Sequence, residues 1–186
     1  YSALKKKLNS EIKVAQFSGY VSEQSSYHHG ESSLNGAIIG LAQNFVGSNN
    51  INLFKPEGQF GTRLQGGKDA ASERYIFTYL NPITRKIFSE FDDAILDYIE
   101  DDGTSVEPIY YVPIIPMILV NGTKGIGTGF STDIMCYNPI QIISYLEAKL
   151  NNVCESDLKA LVIEPYYQGF KGKIYPCDTT HKKYII

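Results

Sequence analysis

The chain has 186 residues, 43% hydrophobic and 20% charged, with a formal net charge of −3. That length holds one ordinary domain or two small ones around a real core, and the composition excludes a disordered chain. The longest apolar run, Val112 to Val120, is broken by Pro113 and Pro116 and is too short to span a bilayer.

The first residues are polar and basic, so they do not form a signal peptide. The chain starts on Tyr1 rather than Met and ends on Tyr184-Ile185-Ile186, which reads as a strand cut short. A segment of a longer polypeptide is therefore expected. Cys136, Cys154 and Cys177 are odd in number, widely spaced and distant from any histidine pair. That pattern argues against a disulfide framework or a zinc site and suits an intracellular, reducing compartment. The charge is unevenly spread. Residues 1–89 carry ten Lys/Arg against six Asp/Glu, whereas residues 90–112 carry eight acids and no base. Attraction to phosphates follows the local field, so the first half is the half suited to nucleic acid.

Taken in order, Tyr1 to Lys13 is basic, with Lys5-Lys6-Lys7 consecutive, and reads as a solvated run. Val14, Phe17 and Val21 give helical spacing over 14–24, with Gly19 weakening it. Leu34, Ile38, Leu41, Ala42 and Phe45 share one face, which predicts an amphipathic helix over 31–46. Gly30 or a nearby serine would cap it, with Glu31 favourable in its first turn. The other face carries Ser32, Ser33, Asn35 and Gln43. These short neutral donors suit a nucleic-acid backbone, and equally a plain surface helix. A helix N-terminus there would also offer free N–H groups to a phosphate.

Gly47 to Asn50 is a turn, Ile51–Phe54 a short strand and Lys55–Gly58 a second turn. Residues 59–72 are too polar to pack and form an extended loop; Arg74–Leu80 alternates as a strand, and 82–88 is a short helix. Helices followed by two short strands around a basic loop make an α+β, winged-helix pattern, a variant of helix-turn-helix. Residues 90–107 read as a solvated acidic face with a loop at Asp101-Asp102-Gly103. Tyr110–Val120 should lie in a core or an edge strand. Asn138-Pro139 opens a helix with Ile140, Ile143, Leu146 and Leu150 at helical spacing, and 166–175 alternates as strands.

Two glycine loops resemble nucleotide sites and miss. Gly61 to Lys68 fails the spacing of a phosphate-binding loop by one residue, with Asp69 where a Ser/Thr should stand. In Gly125-Ile126-Gly127-Thr128-Gly129, Phe130 follows where the dinucleotide fingerprint needs its spacing completed by a third glycine. Ile126 itself admits two readings. Core packing is the usual fate of isoleucine; an apolar side chain on a polar, exposed tip can instead wedge between base pairs and kink a duplex.

Several stretches together identify a family. They are Tyr27-His28-His29-Gly30-Glu31, Leu41 to Asn50, Gly58 to Arg63, Gly66-Gly67-Lys68-Asp69, Arg74-Tyr75-Ile76, Pro113 to Gly122 and Gly125 to Gly129. They resemble the DNA breakage-reunion region of the eukaryotic-type DNA topoisomerase II, from about Lys13 to Asn152. The tail resembles it only around Gly169 to Lys173. The resemblance implies a winged-helix domain over 1–112 followed by the beginning of an α/β tower domain over 113–186. It implies that Tyr75 forms a 5′-phosphotyrosyl bond, that Arg74 steadies the scissile phosphate, and that His29 lies close to the nucleophile. His28 and Lys68 would support the DNA, with Ser32 and Ser33 facing its backbone and Ile126 intercalated. The family's Mg2+ site and ATPase domain would lie outside this segment, in a nuclear homodimer acting on double-stranded DNA with no membrane association. The alternative from another class is a non-catalytic winged-helix DNA-binding module, which has no need of an intact Arg74-Tyr75 pair.

Overall fold

The computed structural model describes residues 1–161, 163–177 and 184–186. Its first unit begins with α1 (Ser2–Lys6), β1 (Ile12–Lys13), α2 (Val14–Gln24) and α3 (Glu31–Ala42). It continues with β2 (Phe54–Glu57), β3 (Phe77–Leu80) and α4 (Thr84–Ile87). Then come β4 (Tyr98–Asp101), β5 (Thr104–Pro108), α5 (Met117–Val120), β6 (Thr123–Gly127) and β7 (Phe130–Ile134). The series closes with α6 (Pro139–Leu150), α7 (Glu155–Ala160), β8 (Tyr175–Pro176) and β9 (Tyr184–Ile185).

The start of the chain is not the solvated run its lysines suggest. Ser2, Ala3, Leu4 and Leu8 are buried, and Lys5, Lys6 and Lys7 line the outside of α1. Leu4 and Leu8 join Val14, Phe17, Ile38, Phe54, Ile76 and Leu80 in one core. Burying two leucines outweighs solvating the stretch as a tail, since each contributes roughly 1.5–3 kcal/mol, while the lysine heads stay in water.

The three-stranded sheet has the order β1-β3-β2, all antiparallel. The second strand falls at Phe54–Glu57, later than the expected 51–54, because Phe54 pairs Leu80 and Glu57 pairs Phe77. Pro56 is tolerated there because β2 is an edge. Across the ladder, the buried Thr78 hydroxyl donates to the Lys55 carbonyl at 2.8 Å.

Helix α3 stops at Ala42, four residues short of the expected end. Asn49 Nδ2 donates to the carbonyls of Gly40 (2.7 Å) and Gln43 (2.8 Å), satisfying acceptors a further turn would have used. The acidic stretch folds as the hairpin of β4 and β5 around Asp102-Gly103, and Arg85 grips Asp93 through two bonds of 2.7 and 3.2 Å. The Tyr110–Val120 run forms neither an edge strand nor a continuous core. Pro113 and Pro116 interrupt it; Ile115 and Val120 are buried, whereas Tyr110, Val112, Ile114 and Ile118 are exposed. Helix α6 forms as expected, with Asn138 accepting from the Ile140 amide. It buries Ile142 and leaves Ile140 and Leu150 exposed. Residues 166–175 do not alternate as strands. A turn at Tyr167 to Phe170 interrupts them, and ladder pairing resumes at β8 with β9. Residues 178–183, within the proposed tower, lie outside the described residues.

A second, smaller core gathers Ile115, Val120 and Ile142. Asn50 ties it to the first. Its Nδ2 lies within hydrogen-bonding distance of the carbonyls of Val120 (2.9 Å), Tyr137 (3.1 Å) and Tyr166 (2.9 Å), and its Oδ1 accepts from the Gln168 amide (2.8 Å).

Candidate nucleic-acid interface

Arg74 and Tyr75 stand on a turn just before β3, not within it as their alternation suggests. The Tyr75 amide donates to the Ser72 carbonyl at 2.9 Å, and the ladder begins at Phe77. The first amides of a helix have no intrahelical acceptor, and α2 uses two of them here. Val14 N donates to Ile76 O (3.0 Å) and Ala15 N to Glu73 O (3.2 Å), so both ends of 73–76 are held against the helix start. Ile76 is the anchor, 1% exposed in the core, and its neighbour Tyr75 is thrown outward at 76% exposure. Gly58 makes room for this, since a Cβ there would come within 2.9 Å of Ile76 Cγ2. Among the described residues, no hydrogen bond or ion pair engages the Tyr75 hydroxyl or the Arg74 guanidinium, which leaves both available to a ligand.

The basic loop is more constrained than its polarity suggests. Its two ends cross so closely that a Cβ at Gly61, where φ is +100°, would lie 2.6 Å from Gly67 Cα. Gln43, reaching across from the end of α3, donates to the carbonyls of Phe60 (2.9 Å) and Gly67 (3.3 Å). Asp69 accepts from the Thr62 amide (2.8 Å) and hydroxyl (2.7 Å). Those bonds, the amide foremost, hold its carboxyl below the usual carboxylate range. Asp69 is thus the clasp of the loop, which accounts for a residue the sequence marked only as out of place. Lys68 and Arg63 are exposed on the loop, and Arg63 Nη1 donates to the Val46 carbonyl at 3.1 Å.

His28 and His29 precede α3 and are exposed. With Ser18, Glu23, Tyr27 and Glu31 they line a cleft of about 580 Å3 between α2 and α3. The His29 ring packs edge-on against Tyr27, centroids 5.3 Å apart. No hydrogen bond or ring contact joins His29 to Tyr75 among the described residues. Gly30 caps α3 with its backbone, its carbonyl accepting from the Ser33 amide at 3.0 Å. Ser32 and Ser33 are exposed in the first turn, as expected. Their two supposed companions are engaged elsewhere: Asn35 is buried, and Gln43 is committed to the basic loop.

Ile126 does not pack in a core. It sits near the tip of the β6–β7 hairpin, paired with Ser131 and 90% exposed. Phe130, whose partner is Gly127, is 84% exposed on the opposite face. The hairpin therefore carries two bare apolar side chains, one per face. Sequence reasoning noticed only the first; period-two alternation about the Thr128-Gly129 turn was the signal for the second. The hairpin also disposes of a dinucleotide site, because the glycines lead into a strand and not a helix.

Among the described residues, no three His, Cys, Asp or Glu side chains gather closely enough to hold a metal ion. The acids present do not fit a magnesium site. No described helix is long and apolar enough to cross a membrane.

An exposed Arg-Tyr pair, a clasped basic loop and an apolar-tipped hairpin on one α+β scaffold define a surface built for nucleic acid. The whole chain, residues 1–186, matches the DNA gyrase/topoisomerase IV family, and so belongs to the type II DNA topoisomerases. It is 56% identical over 98% of its length to the DNA topoisomerase 2, mitochondrial, of Dictyostelium discoideum, of which it covers 14%. Against DNA topoisomerase 2 of Pisum sativum it is 57% identical over 94% of its length, covering 12% of that protein. A crystal structure of the Plasmodium falciparum topoisomerase II DNA-binding, cleavage and re-ligation domain superposes with a TM-score of 0.90. The two are 50% identical, over 96% of this chain and 24% of that one. The chain thus spans about one seventh or less of the curated relatives named here.

Proposed function

We propose that this chain is the strand-cleaving segment of an ATP-dependent type II DNA topoisomerase, with Tyr75 as the nucleophile. The observation that carries the reading is the Arg74-Tyr75 turn, pinned by Ile76 and the first amides of α2 with its phenol free. The Tyr75 oxygen attacks a backbone phosphorus, the bond to the 3′ oxygen breaks, and a 5′-phosphotyrosyl ester forms. The phenolic proton leaves Tyr75 and one is delivered to the departing 3′ oxygen. A phenol with a pKa of about 10 is a weak nucleophile at neutral pH. His29 is assigned as the group that receives its proton, and Arg74 as the cation facing the phosphate. Resealing is the same exchange reversed, so the chemistry itself needs no external energy.

The remaining assignments follow from this reading. His28, Ser32, Ser33 and Lys68 contact the DNA backbone, and Ile126 inserts between base pairs of a bent duplex. Residues 1–112 form a winged-helix domain and 113–186 begin a tower domain. Magnesium and ATP bind elsewhere in a homodimeric, nuclear protein. Such a protein cuts both strands of one double-stranded DNA and passes another through. The names of the two relatives and of the Plasmodium domain support the reading.

The test is Tyr75→Phe in the full-length protein. DNA binding is retained and no covalent protein–DNA adduct survives a denaturant quench. A normal adduct yield from the variant defeats the assignment. Loss of binding together with the adduct points instead to a binding module.

A further inference from the structure

We propose that Asn50 and Asn121 are positioning residues. Together they form a polar mount that aims the Ile126 hairpin relative to Tyr75. The proposal rests on the roles just given to Ile126 and Tyr75.

The β6–β7 hairpin has little to hold it. Every residue of β6 is exposed, as are Phe130 to Asp133 of β7, and an isolated two-stranded hairpin is marginal in water. Its direction is therefore set where its two legs leave the body. Asn50 grips both legs at once, with Nδ2 donating toward the carbonyl of Val120 before the hairpin and of Tyr137 after it. Asn121 grips from the other side. Its Oδ1 accepts from the Ile51 amide and its Nδ2 donates to the Ile51 carbonyl, both at 2.9 Å. The chain immediately preceding this mount is tied to the other half of the site. Asn49 holds the last turn of α3 through Gly40 and Gln43, and Gln43 holds the basic loop through Phe60 and Gly67. The Asn49-Asn50 pair thus fastens the hairpin base and the loop leading to Tyr75 to one rigid corner.

Only an amide fits this work. Asn50 must donate to several carbonyls and also accept the Gln168 amide. A carboxylate has no donors, and alanine leaves three carbonyls without this partner.

The experiment uses the full-length protein in a Tyr75→Phe background and a duplex labelled at both ends, so that bending is read by energy transfer in bound DNA. Expected is a shift of about tenfold toward straight bound duplex for Asn50→Ala, matching Ile126→Ala, with the double variant no worse than either single one. Asn121→Asp, which keeps the acceptor for Ile51 N and loses the donor, shows a smaller shift of the same kind. It serves as the test should Asn50→Ala fail to fold. Unchanged bending in folded Asn50 and Asn121 variants overturns the mount, and so does an additive double variant, which marks a merely structural role. If Ile126→Ala itself leaves bending unchanged, the wedge falls and the mount with it. None of these readings depends on Tyr75 forming an adduct.

Discussion

Ile76→Ala tests the link between core and site most directly. The substitution removes three carbons from a side chain 1% exposed in the main core. At about 0.8 kcal/mol per buried methylene this loses roughly 2.4 kcal/mol of transfer energy. The void left behind raises the total to roughly 3–4 kcal/mol, within the range for buried isoleucine-to-alanine changes. For a chain of this size that lowers the melting temperature by roughly 6–16 °C. Urea titration and thermal unfolding measure both, and Ile76→Val should cost only about 1 kcal/mol. The Ile76 carbonyl still meets the Val14 amide, so the turn persists but loses its plug, and covalent adduct yield falls more than DNA affinity does. Gly58 supplies an internal check. A Cβ there meets Ile76 Cγ2 at 2.9 Å, so Gly58→Ala should cost less in the Ile76→Ala background than alone, leaving the penalty of its positive φ. A loss below about 1 kcal/mol for Ile76→Ala, or strict additivity with Gly58→Ala, refutes the claim that Ile76 anchors the Tyr75 turn.

Two further outcomes are expected. Asp69 is held below the usual carboxylate range in the folded loop, so its contribution to stability is present above the unfolded value of about 3.9 and is lost as pH falls through the lower folded value. NMR titration of its carboxyl should follow that order, and loop amides should lose exchange protection in acid; an Asp69 titrating at or above the ordinary value contradicts the clasp. Lys68→Ala should weaken DNA binding similarly across sequences and reduce the salt-dependence slope by about one. A sequence-selective loss with an unchanged slope removes Lys68 from the phosphate contacts.

Local pattern was enough for α2 and α6, whose apolar spacing is helical and whose packing agrees with it. It also marked the sites of chemistry, because an arginine next to a tyrosine after a glycine-rich basic loop is unusual however it folds. Pattern failed where a partner distant in the chain decided the outcome. Phe54 to Glu57 became a strand because β3 was there to pair with it, despite Pro56. Helix α3 ended early because Asn49 supplied donors, and Gln43 left the DNA-facing set because Phe60 and Gly67 claimed its amide. Tyr110 to Val120 looked like core, yet its prolines broke it and left half its side chains outside.

What the sequence by itself determined is the family, the identity of the candidate nucleophile and its arginine, and the confinement of acid to one stretch. These are properties of residue type and order. Only the tertiary structure decided which way those residues face. It bared Tyr75 by burying Ile76, closed the basic loop through the Thr62–Asp69 bonds, and put Ile126 at an exposed tip. It also turned Asn50, a turn residue by sequence, into the joint between two cores. The physical reason is the same throughout. Burial and buried hydrogen bonds are set by neighbours far along the chain, and no local periodicity encodes where those neighbours will lie.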